Sequence, residues 1–170
     1  MMDHSFNAVC DKNTQLLILG SLPGKRSIAE QQYYAHPRNA LWPILCSWIQ
    51  IPVLLSYQER LSAALERGIG FWDVVAEAER PGSLDSNIAS STVHYNPIDQ
   101  LILSLPRLKA IILNGGAAMT LFRRAGFDRA AAESGIDFFQ LPSTSPAHAS
   151  TSYDEKRVAW HSVLIDTLKE

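Results

Sequence analysis

The chain has 170 residues, 46% hydrophobic and 19% charged, with a net charge of −2 at pH 7. That is enough to bury a full core, and it is read as one domain over residues 1–170. No apolar run approaches the roughly 20 residues of a membrane span, and the opening M-M-D-H-S-F-N lacks the layout of a secretory signal, so a prokaryotic cytosol is the expected compartment. The near-neutral balance excludes global electrostatic attraction to nucleic acid, so such a partner would have to meet a local basic patch. Cys10 and Cys46 are too few for an iron–sulfur cluster or a disulfide framework, and are expected as reduced thiols.

Residues 1–14 read as an arm packed on a sheet. Residues 15–19 form the first strand, apolar on both faces as a buried parallel strand should be. A long polar connection follows, G-S-L-P-G-K-R-S and then Y-Y-A-H-P-R-N. It leads into a helix over 40–49, with Leu41, Ile44, Leu45 and Trp48 at helical spacing, Asn39 as N-cap and Pro43 in the first turn. A second helix covers 57–67, started by Ser56 and stopped by Gly68 and Gly70. Residues 70–75 form the second strand, with Asp73 among apolar neighbours, and the polar E-R-P-G-S-L-D-S-N-I follows. Asn96-Pro97 opens a helix to residue 105. A third strand at 109–113 leads through Asn114-Gly115-Gly116 into a helix over 117–125. A fourth strand at 136–141 is followed by P-S-T-S-P-A-H-A-S and a helix over 154–168, whose apolar side is read as Val158, Trp160, Val163, Leu164 and Leu168. Four apolar strands alternating with helices predict an α/β fold, a three-layer α/β/α sandwich around a four-stranded parallel sheet.

All four strands run out into polar, Gly- or Pro-rich sequence, so these loops should converge on one edge of the sheet, where open α/β folds bind ligands. In the first loop Gly20 and Gly24 admit close backbone approach and Pro23 stiffens the turn. Ser21, Ser27, Tyr33, Tyr34, His36, Arg38 and Asn39 crowd hydrogen-bonding groups into the same connection, which is uncommonly long unless it binds something. Asp73 is costly on an apolar strand unless it meets a ligand, a cap or an arginine. Gly115-Gly116 is either an anion site at a helix start or a device for close strand–helix packing. Ser143, Thr144 and Ser145 either hold a phosphate or cap the last helix. Tyr33, Tyr34 and Trp72 either stack on a flat ring or fill the core. His36, His94 and His148 have no metal-ligand spacing, so no metal site is expected. G-S-L-P-G is neither a hydrolase nucleophile elbow nor a Walker loop.

Taken together these residues resemble the uracil-DNA glycosylase superfamily, and within it the hypoxanthine-DNA glycosylases counted as its sixth family. G-S-L-P-G-K-R-S resembles the first motif of that family. H-P-R-N-A-L-W resembles the H-P-x-N-x-F-W segment shared with mismatch-specific uracil glycosylases, with Leu41 in place of Phe. L-P-S-T-S-P-A-H-A resembles the second motif, and G-I-G-F-W-D and S-L-D-S-N-I fit in order and spacing. The resemblance implies hydrolysis of the N-glycosidic bond of deoxyinosine in double-stranded DNA, without cofactor, by a monomer that flips the base into a pocket.

Residue by residue, it implies that Asn39 is catalytic by positioning and electrostatics, since an amide is not a general base. It puts Ser21, Tyr33 or Tyr34, Trp72, Asp73 and Asn114 around the base. Gly20, Pro23, Gly24, Lys25, Ser27, Arg38, Ser143 and Ser145 would meet the DNA backbone, and Pro146, Ala147 and His148 lie where relatives push a wedge into the stack. Ser143 stands where uracil-specific relatives carry His, which implies weak uracil activity. No lysine occupies a nucleophile position of the family, so no lyase step is expected. Lys25, Arg26, Arg38, Arg123 and Arg124 are the basic residues assigned to the DNA face. The rival readings are a mismatch-specific uracil or thymine glycosylase, and a non-catalytic nucleotide- or phosphate-binding protein.

Overall fold

In the computed structural model, which describes residues 1–168, the chain runs β1 (Met2–His4), β2 (Leu16–Gly20), α1 (Lys25–Glu30), α2 (Leu41–Ile49), α3 (Tyr57–Glu66), β3 (Ile69–Asp73) and β4 (Val75–Glu79). It continues through β5 (His94–Tyr95), α4 (Ile98–Ser104), β6 (Ala110–Asn114), α5 (Gly116–Arg124), α6 (Phe127–Glu133), β7 (Asp137–Leu141) and α7 (Tyr153–Thr167). Two short 3-10 turns, Asp85–Asn87 and Ser90–Thr92, separate β4 from β5.

The central sheet has the order β3-β2-β6-β7 and every pairing in it is parallel. All five residues of β2 are buried, because strands flank it on both sides and helices cover both faces. Successive side chains project to opposite faces, which sorts the core into two halves. Leu17 and Leu19 pack with α4, α5 and α6, while Leu16 and Ile18 pack with α2, α3 and α7. This is the three-layer sandwich the sequence predicts.

Several elements depart from expectation, with helices α1 and α6 and strands β1, β4 and β5 added to those expected. The strand read over 70–75 ends at Asp73, and Val75–Glu79 enters a separate antiparallel sheet of order β1-β4-β5. The break arises where Val74 N and Val75 N turn to the carbonyls of Gly20 and Ser21, so the chain follows the outgoing first loop. The N-terminal arm lies against this region through β1 and a bridge between Val9 and Phe71. In α7 the buried stripe is Lys156, Trp160 and Leu164, at i, i+4 and i+8. Val158, two residues and about 200° from Trp160, is exposed. Among the described residues no helix is long and apolar enough to cross a membrane.

From β2 the chain crosses to β3 on one side, and from β6 to β7 on the other. The loops leaving β2 and β6 therefore part at their carboxyl ends and open a crevice between them, the topological switch point where ligands enter such sheets.

Candidate active site

A cleft of about 660 Å³ occupies that crevice, lined by residues 20–27, Tyr33, Tyr34, His36, Arg38, Asn39, Asp73, residues 83–86, 114–117 and 143–148. Every site residue expected from sequence lines it except Trp72 and the basic pair Arg123 and Arg124.

Its floor is built around Gly20. A Cβ there would lie 2.6 Å from Asp73 Oδ1 and 3.3 Å from Tyr34 Oη, so only glycine lets these two groups close over the end of β2. Asp73 is 4% exposed. Its Oδ2 and the Tyr34 hydroxyl are buried with no hydrogen-bond partner among the described residues. Two orphan polar atoms in one buried floor are costly in a folded interior and ask for an occupant. Burial, then the charge of Asp85, pushes the Asp73 carboxyl up to about 7, against the opposing pull of Arg80. Burial and then the Asp73 charge push the phenols of Tyr33 and Tyr34 well above the usual tyrosine range; the Asn114 side chain works against the rise at Tyr34. Burial also raises Asp85, while the Ser21 hydroxyl and Arg80 favour its ionised form. Tyr34 sits at φ 57°, a left-handed conformation that is unfavourable for an aromatic residue and is held here by its surroundings.

The first wall is fixed from behind. Arg80 is wholly buried and donates from Nε and Nη2 to Asp3 Oδ2 at 3.2 and 2.9 Å. It also donates to the carbonyl of Leu22 at 3.2 Å and to that of Pro23, gripping the turn of the first loop. Asp3 Oδ1 takes a further 2.7 Å bond from Lys25 Nζ. The second wall is held by Asn114, whose amide oxygen accepts from Thr144 N and whose amide nitrogen donates to Thr144 Oγ1, both at 2.9 Å. Gly115, at φ 99°, brings the backbone so close to Ser143 that a Cβ would lie 2.9 Å from that side chain. Lys156 donates to the His148 carbonyl at 2.7 Å, and the Trp160 indole to the Pro142 carbonyl at 3.0 Å. Ala40 N donates to Thr144 O and ties the two walls together.

Asn39 lies between them. Its Oδ1 accepts from Leu41 N at 3.0 Å, so it caps the start of α2 as expected, from one residue before the helix N-cap Ala40. Among the described residues its Nδ2 has no hydrogen-bond partner.

Several expected roles change. Trp72 points away from the cleft: it neighbours Asp73 on a strand, so its side chain leaves the opposite face, packs on the Leu17 side of the core and donates to Phe6 O at 2.8 Å. Ser27 is buried, and its hydroxyl accepts from Ala35 N, so it braces the loop from within. Asn114 clamps Thr144 with both ends of its amide, so it shapes the pocket from behind. Tyr33 is 3% exposed, stacked on Phe71 and bonded through its hydroxyl to Asn7 O, a core residue that backs Tyr34. Arg123 and Arg124 end α5, about 12 Å of helix from the cleft, and line a separate shallow hollow with Arg129. Sequence reasoning missed Asp3, Arg80, Asp85 and Lys156; of these only Asp85 lay in a segment, S-L-D-S-N-I, already marked by the resemblance.

Residues 6–169 match the family model described as the uracil DNA glycosylase superfamily. The chain belongs to that superfamily. The matched span takes in both walls of the cleft, its floor and Asn39. A protein of Methanosarcina barkeri named hypoxanthine DNA glycosylase is 38% identical over 132 residues, 75% of this chain and 82% of its own length. A second of the same name, from Methanosarcina acetivorans, is 34% identical over 166 residues, 96% of this chain and 99% of its own. A solution NMR structure from Methanosarcina acetivorans, provisionally described as a uracil DNA glycosylase, superposes with a TM-score of 0.81 at 32% identity, covering 98% of this chain and 99% of that one. Within the superfamily frame the cleft carries Ser21 in the first motif and Ser143 in the second. The Ser143 hydroxyl accepts from Ser145 N, so it braces its own loop.

Proposed function

We propose that this chain is a monofunctional DNA glycosylase that hydrolyses the N-glycosidic bond of deoxyinosine in double-stranded DNA, acting in the cytosol as a one-domain monomer without metal or cofactor. The observation that carries the reading is the closed floor beneath Gly20, where Asp73 Oδ2 and Tyr34 Oη have no hydrogen-bond partner among the described residues, in a cleft large enough for one base. The identity to two hypoxanthine DNA glycosylases over most of the chain agrees with it.

A base inside a duplex is out of reach, so the nucleotide must be swung out of the stack into the cleft. The half-buried ring of Tyr34, backed by Tyr33, stacks on it. Arg38 and the backbone of loops 20–24 and 143–145 meet the flanking phosphates, with Lys25 contributing charge although it is tied to Asp3. Ala147 is exposed at the tip of the second loop, and Pro146 and half-buried His148 flank it where the duplex would be parted. As the bond breaks, positive charge grows on the sugar and negative charge on the base. Asn39 answers the second: its Oδ1 is fixed on Leu41 N, so its Nδ2 is the fixed donor that bonds the departing base or holds the attacking water.

Duplexes carrying a single deoxyinosine, deoxyuridine or deoxyxanthosine, treated with the protein and then alkali, test the reading. Alkali-dependent scission is expected at inosine, with uracil at least tenfold slower, because Ser143 offers no imidazole and its hydroxyl braces Ser145. Faster cleavage at uracil would favour the mismatch-specific rival. No scission on any of the three would overturn the enzyme reading.

A further inference from the structure

We propose that Asp73 is the general acid of this site, handing its carboxyl proton to N7 of the purine as the C1′–N9 bond breaks. The inference rests on the reading of the cleft as a hypoxanthine-releasing site and names the chemistry of the leaving group.

Departure of a purine leaves an electron pair on the five-membered ring. Protonating N7 makes the leaving base neutral where it would otherwise be an anion, and among common bases only purines offer that atom. The cleft needs a proton donor buried with the base, and Asp73 is the acid placed for it. It is almost fully buried, lines the cleft, and among the described residues its Oδ2 has no hydrogen-bond partner. Its main-chain carbonyl is held by Asn96 Nδ2 at 2.8 Å, which fixes the strand end and so the carboxyl. The absence of a side chain at Gly20 leaves that carboxyl packed against the strand end.

Charged and titratable groups face Asp73 from every side. Tyr33 and Tyr34 approach from the loop before α2, Asp85 from the 3-10 turn, and Arg80 from the end of β4. Burial and Asp85 outweigh Arg80, so the carboxyl keeps its proton up to about pH 7, where a solvated aspartate would have lost it. Asp85 has the Ser21 hydroxyl and Arg80 to favour its charge, giving two neighbouring acids whose environments differ.

The step balances. The C1′–N9 pair moves onto the base, the Asp73 proton goes to N7, and a water oxygen bonds C1′. The proton that water sheds returns through solvent to Asp73. Hypoxanthine leaves as its neutral N7–H tautomer, and the sugar gains a hydroxyl.

Single-turnover release of hypoxanthine would be followed from pH 5.5 to 9 for wild type and Asp73→Asn, an isostere of the neutral carboxyl with no proton to transfer. A duplex carrying 7-deaza-deoxyinosine, which lacks N7, would be run beside the natural one. Melting temperature and affinity for a duplex with a tetrahydrofuran abasic analogue report the fold and DNA binding of the variant. The wild-type rate is expected to be flat below about pH 7 and to fall toward tenfold per unit above it. Asp73→Asn should be at least 100-fold slower at pH 6, the scale of general acid catalysis, with no such fall. The 7-deaza duplex should be cut at least 100-fold more slowly than the natural one by wild type, and no more slowly still by the variant. A wild-type rate rising with pH would overturn the inference, since it would make Asp73 an ionised acceptor for N1–H. Wild-type cleavage of the 7-deaza duplex at the natural rate would also overturn it, and needs no variant to fold. Near-normal activity in Asp73→Asn would overturn it while leaving the glycosylase reading standing. Only a wild type silent at every pH would sink both.

Discussion

Replacing Asn39 by alanine is expected to lower single-turnover excision of hypoxanthine by two to three orders of magnitude, the usual cost of removing one fixed donor aimed at developing charge. The same change deletes the Oδ1 bond to Leu41 N and so costs about 1 kcal/mol of stability. The two effects separate in Asn39→Asp. A carboxylate still accepts from Leu41 N at the start of α2, so the melting temperature should stay near that of the wild type, yet the Nδ2 donor is gone and excision should remain as poor as in Asn39→Ala. Excision assays paired with thermal melts check this. Full activity in Asn39→Ala would remove Asn39 from the chemistry and leave it a helix cap.

The largest loss of stability is expected at Arg80, a residue the sequence did not mark. Its guanidinium is fully buried, and methionine would fill most of the volume without the charge. Asp3, 7% exposed at its side chain, would keep only Lys25, and the Leu22 and Pro23 carbonyls would lose their donor. Breaking one side of a buried pair costs about 3–5 kcal/mol, which in a chain of this size lowers the melting temperature by roughly 10 °C. Excision should fall as well, because Leu22 and Pro23 sit in the wall of the cleft. Pairing Arg80→Met with Asp3→Asn should recover part of the stability by removing the stranded charge. A melting temperature of Arg80→Met within 2 °C of wild type would mean that the first loop holds itself.

The sheet and the location of the site were legible because both leave local marks. Each central strand is a short apolar run followed by turn-forming residues, and that pattern survives without knowledge of what packs where. Asp73 and the two serine- and glycine-rich loops were legible for the same reason: polar residues at the ends of buried strands have few uses. Asn39 read locally as a helix cap, and the family resemblance alone marked it as catalytic. The second sheet left no such mark. V-A-E-A-E carries too little apolar character to read as a strand, and His94–Tyr95 is only two residues long. The helix Lys25–Glu30 begins at Gly24 with no side-chain cap, so nothing in the sequence punctuates it. Trp72 was misread through parity: beside Asp73 it looks like a second pocket residue, but neighbours on a strand serve opposite faces. Asp3 with Arg80 and Lys156 with His148 could not be foreseen locally. The first pair is 77 residues apart and forms only when the chain closes, and the second depends on how the loop after β7 folds back on α7.

The indoles give the cleft a built-in optical signature. Trp42 donates to the carbonyl of Tyr33, Trp160 to that of Pro142 and Trp72 to that of Phe6, at 2.8–3.0 Å. Two of these three carbonyls belong to the segments that form the walls around a bound base. Trp48, the remaining tryptophan, lies under Arg67, half-buried against the core and outside the cleft lining. Emission from this protein therefore reads the order of the loops themselves, and their rearrangement around a substrate can be timed by stopped-flow fluorescence without attaching a dye.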